Sequence, residues 1–493
     1  MELLAVAREH LAELDAQIRD TERRRARTAQ VIASLATLGA PVQKLPAELL
    51  SQIFIEAVAP WSPSFDAAIN KAIRRRNEHD YTQFFCARRL SHVCAAWRTT
   101  ALRTPQMWCV PLPLCKMPVK LDVEEWADPD LTAIFFERSR PLPIPLRFCD
   151  YGNSKLPALL RKRIVDATSR AAVLVIQSEE LLSAMVGDQC PFLGELRAVS
   201  IGSLGEPRTL PQTPALLTAT KLTRVVLDHA WLPIPWTQLR ELTLTMWYGI
   251  SASECFAAIR QCVQLLMLDL HMAAWWDDVV TNGEPQALPC LTHLTFAVES
   301  GIHIHPFFDG LALPALVEFT LQITGEYEWS DNGAAIASFF GRSPKLEILS
   351  IYDCELGPHE LQTMLHHTPM LQELELQGCS RNAVVDTVIE RLTYFPADSN
   401  RGIPLAPLLH SLHLDDLWSE NVHDATLQAM VESRYTANLD SSHTPATVVV
   451  PWKKLYFKYS KEGRESDDDD PIGSAFRVRV VQLKHQGLDI VVC

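Results

Sequence analysis

No pair of cysteines is spaced Cys-x-x-Cys anywhere in the 493 residues. That removes the common zinc-ribbon and thioredoxin-like signatures. The 12 cysteines scatter from Cys86 to Cys493, too sparsely for a disulfide scaffold. Reduced thiols in a cytoplasmic or nuclear compartment are therefore expected. No uncharged run approaches the roughly 18 residues of a membrane-spanning helix. Met1 to Glu9 does not read as a signal peptide, because Arg8 and Glu9 interrupt a short apolar stretch. Basic residues are the minority. The 45 Lys and Arg against 59 Asp and Glu leave a net charge of −14, a poor match to a phosphate backbone, so no nucleic-acid partner is expected.

Catalytic signatures are missing as well. The sequence has no G-x-G-x-x-G, P-loop, G-x-S-x-G or H-E-x-x-H. His303 and His305 would share one strand face, but no Cys or carboxylate nearby completes a metal-ligand set. Asp277 and Asp278 are adjacent, so in any regular element they point to different faces, and an exposed loop fits them better. The expectation is a chain that is not an enzyme and takes no metal or cofactor.

What is present is ordinary globular material, 47% hydrophobic and 21% charged, in a chain too long for one compact core. Residues 1–39 read as one amphipathic, coiled-coil-like helix. Its apolar positions, Leu4, Ala7, Leu11, Leu14 and Ile18, alternate three and four apart. The seam falters at Thr21, Arg25 and Thr28, resumes at Ile32 and Leu35, and stops at Gly39-Ala40-Pro41. Both pairing with a second helix and packing on its own chain are consistent with this pattern.

The chain from about 144 to 493 repeats Leu-x-x-Leu-x-Leu. First leucines fall at 222, 239, 265, 291, 316, 346, 371 and 409, with weaker versions at Leu193 and Trp452. From Leu239 the first five intervals are 26, 26, 25, 30 and 25 residues, against roughly 20–29 for leucine-rich repeats. Pro289, Pro314, Pro344, Pro369 and Pro407 stand two residues before a first leucine, where a missing N–H does no harm at a strand entry. Segments such as 334–340 and 361–365 read as helices between strands. Cys354 and Cys379, eight residues after a first leucine, read as structural. Ile144–Phe148 and Ala172–Ile176 read as strands at the start of the array. Phe476–Val480 and Asp489–Val492 read as strands at its end, and 461–470 as a solvated loop. Residues flanking the second and third leucines point away from the core. Acids dominate there, so the expectation is a substrate-binding face along Glu318, Glu373 and Glu375 for a partner with a basic segment.

Between the first helix and the repeats, residues 45–110 carry a two-part helical pattern. Leu45-Pro46-Ala-Glu48-Leu49-Leu50-Ser-Gln-Ile53-Phe54 starts one helix, with Pro46 at its first position. A polar insertion occupies 61–80. A further helix then carries Leu90, Val93, Cys94, Trp97 and Ala101, and Thr104-Pro105 and Trp108 follow. These segments resemble an F-box, in the family's order, over roughly 30 of the 493 residues. The likeness is strongest to F-box proteins with leucine-rich tails from mushroom-forming fungi; the insertion at 61–80 departs from it. The resemblance implies a substrate-recognition subunit of an SCF-type E3 ubiquitin ligase. Leu45, Pro46, Leu49, Ile53 and Trp97 would lie at or near the interface with a Skp-type adaptor, and through it a cullin. The expected fold is an α/β solenoid, a leucine-rich-repeat horseshoe preceded by a small all-α F-box and the coiled-coil-like helix. The alternative is a leucine-rich-repeat interaction scaffold without ligase association.

Overall fold

The computed structural model describes residues 2–39, 44–58, 82–110, 129–148, 158–176, 190–199, 214–228, 231–246, 252–272, 284–299, 305–324, 333–379, 382–394, 404–418, 420–437, 449–460 and 474–493, with isolated shorter pieces between 112 and 185. The insertion at 61–80, Asp277, Asp278, His303 and the loop 461–470 lie outside the described residues. The chain divides into two units. One is Met1–Pro113 with Ala127–Pro145; the other is Leu114–Trp126 with Leu146–Cys493.

The first unit is helical. Its first helix spans Glu2–Gly39. Every described side chain from Glu9 to Ile32 is exposed, so over that stretch the seam is not buried against its own chain. The next helix, Ala47–Val58, turns Leu50, Phe54 and Val58 inward. Its first bond runs from the Leu50 amide to the Pro46 carbonyl at 3.0 Å, so Pro46 stands one place ahead of the first helical residue.

The single helix expected through Leu90 and Trp97 is instead two, Thr82–Ser91 and Ala95–Leu102. The break has a local cause. The Ser91 hydroxyl donates back to the Arg88 carbonyl, and Cys94 adopts extended backbone, its Sγ accepting from the Trp97 amide. A side chain that accepts from the third residue onward is an N-cap, and it starts a new helix. The 3-10 turn Pro105–Trp108 closes the bundle. Trp108 is 1% exposed. Its Nε1 donates to the Ala101 carbonyl at 2.8 Å, Phe135 meets it edge-on, and the Arg138 guanidinium covers it.

The second unit is built on the leucine pattern. Each strand starts two residues after a first leucine, or after Trp452 in the last: Glu241–Met246, Met267–Met272, His293–Val298, Glu318–Ile323, Ile348–Tyr352, Glu373–Gln377, Ser411–Leu417 and Lys454–Tyr459. Among the described residues they belong to one sheet whose strands follow in chain order. Pairing within the array is parallel, and equivalent positions of successive repeats are register partners, as in His293↔Glu318↔Ile348↔Glu373↔Ser411↔Lys454. Helices such as Gly333–Gly341, Pro358–His366 and Asp424–Ala437 fall between strands. This is an α/β solenoid arrangement, one strand per repeat.

The prolines serve as expected, for a more specific reason. Leu291, Leu316, Leu346, Leu371 and Leu409 each donate an amide to the carbonyl three residues earlier. Pro therefore occupies the second position of a β-turn, where its fixed φ is favoured. First leucines from Leu193 to Leu409 are fully buried. Phe296 and Phe307 stack at 4.2 Å, and Phe319 meets Phe339, so rings fill the space between sheet and helices. Cys354 is buried and its Sγ lies 3.2 Å from the Tyr352 carbonyl. Burial pushes its thiol well up, and that of Cys379 to about 11, consistent with structural thiols.

Phe476–Val480 is not a strand; it lies in the helix Ser474–His485. Phe476, Val480 and Leu483 are buried while Val478 is 59% exposed. In a strand, residues 476, 478 and 480 would share one face. Asp489–Val492 is a strand, paired with Lys454–Tyr459. His305 opens the helix His305–Gly310 and does not sit on a strand.

Candidate functional site

Each unit presents a solvent-facing surface of distinct chemistry. On the helix Ala47–Val58, residues four apart share a stripe. Leu50, Phe54 and Val58 form the buried one, at 6%, 0% and 3% exposure. Leu49 and Ile53 form the adjacent one, at 54% and 48%. Leu45, ahead of the helix, is also exposed, as is Pro46. Trp97 is half-buried, its ring 5.0 Å from that of Phe54. Val93 and Leu102 are exposed too. The exposed residues Leu45, Pro46, Leu49 and Ile53 therefore lie along one segment. Trp97 is joined to that segment through Phe54, on its buried side. A small helical unit that leaves several large aliphatic side chains in water has a surface suited to a partner.

In the second unit the strands alternate. The pattern of Glu318–Ile323 is half-buried, buried, half-buried, buried, with Phe319, Leu321 and Ile323 inward. The outward residues form ladders across the sheet. Glu318 and Glu373 sit in one ladder with Ile348 between them, about 10 Å apart at the usual strand spacing. Glu375 is two residues along from Glu373 and its register partner is His413.

The acids do not stand alone. Arg224 Nε lies 3.1 Å from Glu241, and Lys458 Nζ 2.9 Å from Asp415. Three histidines do the same: His271 Nε2 is 2.8 Å from Asp269, His293 Nε2 3.6 Å from Glu318, and His413 Nδ1 3.1 Å from Glu375. These histidines sit on the carboxylates themselves. The side-chain hydrogen bond to Asp269 raises the His271 pKa above its ordinary value, against desolvation that lowers it.

Three consecutive repeats share a left-handed backbone position, Asp353 at φ 54° and Gly378 at φ 62° just after their strands and Asp416 at φ 63° one residue before the end of its strand. Asp and Gly are the residue types that tolerate it. A side chain at Gly378 would also meet the Asp353 carboxylate. Gln322 Nε2 donates to Asp353, and the Gly378 amide to Asp416. This polar rim fixes the ends of the acidic strands.

Among the described residues, no group of three or more His, Cys, Asp or Glu is placed to hold a metal ion. The described cysteines are free thiols, and burial pushes Cys255 and Cys262 to about 12. No described helix is long and apolar enough to cross a membrane.

No protein-family model matches the chain, and no curated protein matches it. Among solved structures, one described as "Crystal structure of TLR13-ssRNA13 complex" is 16% identical, with a TM-score of 0.25. The match covers 57% of this chain and 43% of that one, so the chain spans less than half of its length. At that overlap the likeness bears on neither fold nor partner.

Proposed function

We propose that this chain is a substrate-recognition subunit of an SCF-type E3 ubiquitin ligase and carries no reaction of its own. The helical segment at Leu45, Pro46, Leu49, Ile53 and Trp97 docks on a Skp-type adaptor, which brings a cullin. The outward sheet face at Glu318, Glu373 and Glu375 holds a substrate protein with a basic segment, in the cytoplasm or nucleus. The observation that carries this reading is the double stripe of the helix Ala47–Val58. Leu50, Phe54 and Val58 complete the unit's own core, while Leu49 and Ile53 remain bare in the segment that resembles an F-box.

The test is co-purification of the tagged full chain from its native cells. Adaptor and cullin should come down with the wild type and be lost with Leu49→Asp/Ile53→Asp. Absence of both from the wild-type sample would remove the ligase reading. A repeat scaffold without ligase association would then stand. That second reading needs only the polar sheet face, whose ion pairs lie within the second unit.

A further inference from the structure

The first helix has no described core of its own, yet its sequence is organised at both the apolar and the charged level. The geometry points to a second copy of the same helix, packed antiparallel, as its partner. Leu11, Leu14, Ile18 and Ile32 are 60%, 42%, 55% and 62% exposed. Together with Thr21, Arg25 and Thr28 they occupy one continuous seam with spacings of three and four residues.

Direction follows from what each arrangement would bring together. In a parallel pair, identical positions meet, so Arg25 would face Arg25 of the second copy in the seam. The cluster Arg23, Arg24, Arg25 and Arg27 would face itself. Like charges so placed are repulsive and partly desolvated. In the antiparallel register whose paired positions sum to 39, Leu11 meets Thr28, Leu14 meets Arg25, and Ile18 meets Thr21. Every polar seam position is then opposite an aliphatic one, and the Arg25 stem can lie along Leu14 with its head in water.

Two independent features fit the same arrangement. The Thr21 hydroxyl donates to the Gln17 carbonyl at 2.8 Å, and that of Thr28 to the Arg24 carbonyl at 3.0 Å. Each threonine thus enters the seam with its donor already satisfied, at little polar cost. Charge is also divided along the helix. Glu9, Glu13, Asp15, Asp20 and Glu22 outnumber Arg8 and Arg19 in the first part. Arg23, Arg24, Arg25 and Arg27 follow with no acid after Glu22. Head-to-tail reversal lays the acidic part of one copy along the basic part of the other. Only Arg24–Asp20 is an ion pair among the described residues of the helix itself.

The test uses the full chain in sedimentation velocity, with cross-linking to read direction. The wild type should sediment as a dimer that weakens with added salt. Leu14→Glu should raise the dissociation constant by about a hundredfold or more while circular dichroism is unchanged. Under mild oxidation, a mixture of Leu11→Cys and Thr28→Cys chains should yield a peptide joining residues 11 and 28. Leu11→Cys chains alone should yield no 11–11 peptide. A monomeric wild type, a dimer indifferent to Leu14→Glu, or an 11–11 cross-link would each overturn the inference.

Discussion

The two units use apolar residues in opposite ways. In the repeat unit, each first leucine from Leu193 to Leu409 is buried and the outward ladders are mainly polar or charged, with Met267 and Ile348 among them. In the helical unit, Leu49, Ile53, Val93 and Leu102 face water beside a core of Phe54, Trp108 and Phe135. Desolvating aliphatic side chains yields affinity, whereas an acidic ladder mainly steers and selects a partner. A receptor that must hold a constant adaptor firmly and a substrate transiently would divide its chemistry in this way.

The largest effects should come from the repeat unit's interior. Arg434 is 1% exposed and spans a junction between repeats. It donates to the carbonyls of Leu392, Leu405, Ala406 and Leu409 and lies over Trp452. Burial lowers its pKa to about 10, which still leaves it charged at neutral pH. Arg434→Met should take this donor from the carbonyls of Leu392, Leu405 and Leu409 and cost about 3–5 kcal/mol in urea unfolding. Phe319→Ala should cost about as much, ~3–5 kcal/mol. Its neighbour Glu318→Ala, on the outward face, should stay within about 0.5 kcal/mol. Equal costs at 318 and 319 would break the inward–outward distinction on which the comparison rests.

Next in size are the surfaces. Trp97→Ala confounds folding with binding, because Trp97 packs on Phe54. Leu49→Ala and Ile53→Ala are cleaner. They should shift the unfolding midpoint little, yet each weaken adaptor binding by roughly tenfold, about 1.4 kcal/mol. Reversing Glu373 and Glu375 to Lys should slow association with a basic substrate several-fold and flatten its salt dependence in stopped-flow measurements, with the adaptor affinity unchanged.

The smallest effect is in pH. Asp269 raises the His271 pKa in the folded chain, so this pair stabilises below the unfolded pKa of about 6.5. The contribution is lost as pH rises through the folded value. Both groups are about a third or more exposed, so the effect should be under about 0.5 kcal/mol. The unfolding free energy of His271→Gln should differ from wild type at pH 5.5 and converge with it at pH 8.

Much of the repeat unit was legible because Leu-x-x-Leu-x-Leu has the period of a strand and the spacing of a repeat. Strands, turns and the structural role of Cys354 follow from it. The pairing of His293 with Glu318 is also visible once repeats are aligned, since both stand two residues after a first leucine; that of Glu375 with His413 appears at four. What escaped had a different signal. Phe476-Arg-Val-Arg-Val480 alternates over five residues, too short to separate a strand from the helical spacing 476, 480, 483. The break at Cys94 depends on one side-chain bond, which apolar periodicity does not register. The Arg434 cluster joins carbonyls from segments about 25 to 42 residues away, where no local pattern reports.

Titration calorimetry of a purified Skp-type adaptor into the full chain tests the central division of labour most directly. The wild type should bind, Leu49→Asp/Ile53→Asp should lose at least about a hundredfold in affinity, and Glu373→Lys/Glu375→Lys should bind as the wild type does. Unchanged affinity in a folded Leu49→Asp/Ile53→Asp chain would contradict the account.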